Sequence, residues 1–184
     1  MRTFIAIELS KEIKEALKTI EDELQGLIRG IRWIPPENIH LTLKFLGSIE
    51  VQTVEAIKNI LSETAKEFKQ YKIRLSSLGA FPNPARPRVI WVGVGDGSKE
   101  CVDMAGFIEE RASNLGIEKE SRTFHPHLTL ARVKFLKDKD SVRNAFAKIK
   151  ITPKEMYVKK ITLFQSELIK EGARYTPLWS ADLE

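Results

Sequence analysis

The chain has 184 residues, 42% of them hydrophobic and 30% charged, which suits a single globular domain over 1–184. No apolar run in it approaches the roughly 20 residues of a membrane helix. Thirty basic against 25 acidic residues leave a formal charge of +5, mild enough to accept an anionic partner without requiring one. The one cysteine, Cys101, excludes an internal disulfide and a cysteine-rich zinc site and makes a cytoplasmic location the default expectation; many Lys, Glu and Ile beside few Asn, Gln, Cys and Met resemble a thermophilic composition.

Phe4 to Leu9 reads as a first strand, not a secretory signal, because Glu8 interrupts the apolar run too soon. Ser10 is placed to cap a helix whose apolar positions Ile13, Leu17, Ile20, Leu24 and Leu27 recur at three and four, with Gly30 as its stop. His40 to Leu46 follows as a strand. Alternation puts Leu41, Leu43 and Phe45 on one face and His40, Thr42 and Lys44 on the other. A second helix after Gly47-Ser48 carries Val51, Val54, Ile57, Leu61, Ala65 and Phe68. Strands over Tyr71–Leu78 and Arg88–Val94 are joined by the rigid, proline-dense loop Phe81–Pro87. A third helix follows Gly95-Asp96-Gly97-Ser98 and ends at Gly116. His127 to Val133 repeats the pattern of the second strand. A short helix from near Asp138 or Asp140 carries Val142, Ala145, Phe146 and Ile149, and strands over Glu155–Leu168 and Arg174–Trp179 close the chain. Helices interspersed with neighbouring strands indicate an α+β fold with mainly antiparallel sheets and outer helices.

One pattern stands apart. Asn38-Ile39-His40-Leu41-Thr42-Leu43 is echoed by His125-Pro126-His127-Leu128-Thr129-Leu130, and these segments hold all three histidines of the chain. In each copy the His and Thr share one strand face and the leucines take the other. A purely structural repeat would need only the leucines. Imidazole exchanges protons near neutrality, so two copies form a matched acid and base. Two pseudo-symmetric lobes would bring them face to face across a central cleft. The chain has no P-loop and no Gly-x-Ser-x-Gly elbow. His125 and His127 offer two imidazoles on one strand face, but a zinc site usually takes three or four protein ligands, so no metal is expected. Phosphodiester hydrolysis suits the pair: one histidine deprotonates water, the other protonates the departing oxygen, and hydroxyl and cationic groups hold the phosphoryl oxygens.

Trp33 to Gly47, with Trp-Ile-Pro-Pro-Glu-Asn-Ile-His-Leu-Thr-Leu-Lys-Phe-Leu-Gly, and Phe124 to Arg132, with Phe-His-Pro-His-Leu-Thr-Leu-Ala-Arg, resemble the two signatures of the two-histidine phosphoesterase superfamily. Within it the chain is most similar to the bacterial and archaeal RNA 2′,3′-cyclic phosphodiesterases, also called 2′-5′ RNA ligases. Phe4–Ile7, Arg88–Gly93 and Arg174–Leu178 extend the likeness along the chain. The resemblance implies a bilobal fold of duplicated halves and cofactor-free, metal-independent opening of 2′,3′-cyclic phosphate ends of RNA or nucleotides to 2′-phosphates, with reverse 2′-5′ ligation. It implies that His40 protonates the departing 3′ oxygen, His127 activates water, and Thr42 and Thr129 hold the phosphate. A monomer suffices for such a site. A binding module for RNA ends without catalysis is the alternative.

Phe45 and Arg132 both stand five residues after their histidine. An odd offset turns a strand side chain away from the histidine face, and a bulge would be needed to return it. Both are flat groups suited to stacking on a nucleobase, and they are expected to flank the terminal base. Lys44 and Arg174 are expected to be solvated charges. Trp33, Trp91 and Trp179 are assigned to the core or the lobe interface, and His125 to positioning its strand, by a backbone hydrogen bond.

Overall fold

The computed structural model describes residues 1–138, 140–170 and 172–184. Nine strands and four helices occur among them. In chain order they are β1 (Arg2–Ile7), α1 (Lys11–Gln25), β2 (Ile31–Trp33), β3 (Leu41–Ser48), α2 (Thr53–Glu67), β4 (Tyr71–Phe81), β5 (Val89–Val94), α3 (Ser98–Asn114), β6 (His127–Val133), α4 (Ser141–Lys148), β7 (Glu155–Val158), β8 (Lys160–Ile169) and β9 (Gly172–Asp182). Every strand pairing is antiparallel, as expected for the α+β class.

The helices form where the apolar spacing places them. The Ile13 amide donates to Ser10 Oγ at 3.3 Å, which satisfies one of the orphan donors at the start of α1. Ile13, Leu17, Ile20 and Leu24 are then buried along one stripe. The helix ends at Gln25, a turn before Gly30, which instead adopts φ +81° in the following loop. There an added Cβ would sit 2.9 Å from the Phe135 carbonyl.

The strands form two sheets, ordered β3-β1-β8-β9 and β2-β6-β5-β4-β7. In each, a motif strand (β3 or β6) pairs with the first strand of its own half (β1 or β5). That strand pairs in turn with a late strand of the other half (β8 or β4). The two halves therefore exchange strands. β2 is the one addition without a counterpart, covering the outer edge of β6.

One correction concerns Glu155–Leu168. It is two strands, not one, and they belong to different sheets: β7 pairs with β4, and β8 lies between β1 and β9. A continuous apolar cluster runs from Ile5 and Ile7 through the α1 stripe to Leu128, Leu130 and Ala131, so both sheets share it. A smaller cluster of Phe4, Ala6 and Phe164 lies on the opposite face of the first sheet, with Tyr175 against it.

Candidate active site

His40 stands immediately before β3, and His127 begins β6. Each motif strand carries a bulge three residues after its histidine. In β3, Thr42 pairs with Ala6 and Lys44 with Ile5, leaving Leu43 unmatched. In β6, Thr129 pairs with Trp91 and Ala131 with Ile90, leaving Leu130 unmatched. The extra residue reverses the alternation beyond it. Phe45, opposite Phe4, thereby shares the face of Thr42, and Arg132, opposite Val89, shares the face of His127 and Thr129. The odd offset that argued against these two residues is undone by the same device in both copies. The Leu130 carbonyl accepts from the Ile34 amide at 2.8 Å, so this bulge strands no acceptor.

The bulge also overturns the assignment of Lys44. Phe45 is 54% exposed and Lys44 only 2%. Lys44 Nζ lies under α3, 2.9 Å from a Glu109 carboxylate oxygen and 2.7 Å from the Glu118 carbonyl. It is a paired buried charge, not a solvated one. Arg174 is exposed and pairs with Glu167 at 2.8 Å.

Both imidazoles lean on the backbone two residues upstream. His127 Nδ1 lies 2.6 Å from the His125 carbonyl, and His40 has a backbone hydrogen bond to Asn38. A carbonyl only accepts, so Nδ1 of His127 carries the proton and Nε2 remains for chemistry. The His125 carbonyl thus positions the His127 ring, whereas the role expected of His125 is to position its strand.

The surroundings differ. The His40 ring stacks on Phe4 at 4.6 Å and meets the edge of Tyr175 at 5.0 Å, with Phe164 at 6.0 Å. Burial lowers its pKa to about 4 against the backbone bond, which acts upward, and the Lys14 charge adds to the lowering. His127 meets the edge of Phe81 at 4.9 Å and the Trp91 ring at 6.0 Å. Its pKa is lowered as well, by burial first and by neighbouring His125, with the bond to the His125 carbonyl opposing.

Trp91 is half-buried on the face of the second sheet that carries His127. It pairs with Thr129, and its ring covers Gly79, where an added Cβ would fall 2.2 Å from two ring carbons. The aromatic partners Phe4, Phe81, Phe164 and Tyr175 escape a sequence reading. β1 is buried on both faces, so Phe4 shows no alternation, and the others depend on pairings between distant strands. Among the described residues, no group of three or more His, Cys, Asp and Glu side chains is placed to hold a metal ion.

Comparison with known proteins gives this arrangement a setting. The family model described as LigT like phosphoesterase matches the chain twice, over residues 7–91 and 92–175, once around each histidine motif. An RNA 2′,3′-cyclic phosphodiesterase of Aquifex aeolicus is 36% identical across 96% of this chain and 94% of its own length. That of Methanocaldococcus jannaschii is 35% identical across 95% and 96%. A crystal structure from Thermus thermophilus superposes with a TM-score of 0.84 at 27% identity, covering 100% of this chain and 98% of the other. Escherichia coli LigT complexed with 3′-AMP gives 0.78 at 26%, covering 99% and 97%.

Proposed function

The chain belongs to the LigT like phosphoesterase family, and from that premise we propose that it opens 2′,3′-cyclic phosphate ends of RNA or nucleotides to 2′-phosphates by proton transfer between His40 and His127. The observation that carries this reading is the doubled motif. Two His-x-Thr segments, on strands of different sheets, have the same bulge and a backbone hydrogen bond from each imidazole to the residue two positions upstream. The names of the Aquifex and Methanocaldococcus relatives and the 3′-AMP bound to the E. coli protein support the substrate class.

His127 Nε2 takes a proton from water as the oxygen attacks phosphorus. The P–O3′ bond breaks, and His40 Nε2–H gives its proton to O3′. Thr42 and Thr129 donate to the non-bridging oxygens, whose charge grows in the transition state. Burial favours the neutral form of His40 in the free protein, and the bound phosphate anion raises its proton affinity for the acid role. Replacing water by a 5′-hydroxyl gives the 2′-5′ ligation product by the same transfers. Phe45 and Arg132 flank the terminal base.

The chain acts as one bilobal unit over 1–184 and as a cytoplasmic monomer. The shared core and exchanged strands support the single unit, and one chain supplies both histidines. The test is incubation with adenosine 2′,3′-cyclic phosphate in excess chelator, with the product isomer identified. Adenosine 2′-phosphate is expected. Binding without turnover, or turnover stopped by the chelator, overturns the reading.

A further inference from the structure

We infer that Arg32 holds the phosphodiester one nucleotide upstream of the cyclic end, so that the cleft prefers an RNA chain to a mononucleotide; this rests on the phosphodiesterase reading above. Arg32 lies on β2, the strand that breaks the correspondence between the sheets. The β2–β6 register places it directly opposite Arg132. Cross-strand partners project from the same face, and the bulge at Leu130 has put Arg132 in phase with His127 and Thr129. Both arginines are exposed.

Like charges directly opposite one another destabilise an antiparallel pair. The arginines Arg74, Arg111 and Arg174 each have a carboxylate within reach. Among the described residues Arg32 and Arg132 have none within 4.0 Å. Two guanidinium groups with no carboxylate partner among the described residues, side by side on the face that carries His127, form a site for an anion. Arg32 also reaches the other sheet: a Cβ built on Gly172, at the start of β9, would lie 3.3 Å from its Nη2. It therefore spans from β2, beside Arg132, to the start of β9.

The terminal phosphate has its own ligands in the His and Thr pairs. The Arg32–Arg132 row lies two pairing steps beyond Thr129, about 7 Å along the sheet at the usual rise per residue. That is about the length of one extended nucleotide. The next anion along an RNA is the preceding phosphodiester, and the planar fork of arginine grips its two free oxygens.

The test compares a trinucleotide ending in a 2′,3′-cyclic phosphate with a mononucleoside 2′,3′-cyclic phosphate. Arg32→Gln should lower kcat/KM for the trinucleotide about tenfold, through KM, and change the mononucleotide by less than twofold. The dependence of log kcat/KM on log salt for the trinucleotide should flatten by about 0.7, the share of one phosphate contact in a single strand. A neutral methylphosphonate at the penultimate linkage should cost the native protein the same tenfold and cost Arg32→Gln nothing more. Arg32→Lys should recover part of the loss. Equal losses on both substrates, no loss on either, or additive losses with the methylphosphonate would each overturn the inference while leaving hydrolysis intact. Absence of hydrolysis in the native protein would sink it together with the reading beneath it.

Discussion

The His40 and His127 half-sites share a motif, a bulge and a backbone tether, yet differ in what surrounds the ring. His40 has three aromatic neighbours, two roughly parallel and one edge-on. His127 has one edge-on aromatic and one tilted tryptophan. The aromatic group also enters from different rows. Phe4 pairs with Phe45 in one sheet, whereas Trp91 pairs with Thr129 in the other. The tether of His127 to the His125 carbonyl leaves its Nε2 free, and the neighbours of each ring fix how readily it holds a proton. Unequal environments are what turn two identical side chains into an acid and a base.

The largest test of that difference is to remove each ring. His40→Ala and His127→Ala should each lower kcat by about 10²–10⁴-fold. They should part company on a p-nitrophenyl phosphodiester, whose leaving group needs no proton. The His40 variant should recover most of its rate on this substrate and the His127 variant none. Recovery in the opposite variant would exchange the two roles.

Acid sensitivity sharpens the comparison next. The His40 pKa falls from 6.5 in an open chain to about 4 in the fold, so between these values the unfolded chain binds the extra proton. Stability from this group is complete above pH 6.5 and is lost as pH falls through 4, at most about 3 kcal/mol. Denaturant melts of His40→Gln should show a flatter pH dependence in that window than the native protein. The profile of kcat/KM, which reports the free protein, should peak below pH 6.5. That of kcat should peak at higher pH, because the bound phosphate raises both imidazoles. Coincident profiles would contradict the part assigned to the phosphate.

The smallest effect lies at the fifth position after each histidine, where the copies differ most in chemistry. Phe45→Ala and Arg132→Ala should raise KM about 5- to 150-fold, the range for loss of one stacked base. Unchanged KM and kcat in folded variants would remove both from the base site.

Much of this was legible in the sequence. Alternation around His40 and His127 placed the His and Thr side chains together, and the apolar spacing located all four helices. The bulges were not legible. Leu43 and Leu130 look like ordinary strand residues, and only the register against β1 and β5 reveals them. That is why Lys44 was misplaced. β2, at three residues, is too short to show a period, so Arg32 gave no signal. The split of Glu155–Leu168 hides at Lys159, a single residue between strands that part to different sheets.

The crossing-over of strands has one more consequence. A cut in the proline loop between β4 and β5 would leave an amino-terminal piece with β1 and β3 but without β8, which flanks β1. The carboxy-terminal piece would keep β5 and β7 but lose β4, which separates them. Neither piece could complete a sheet by itself. Each would serve as the other's missing template, so the cleft can exist only as a joint product of both, whether or not a peptide bond still connects them.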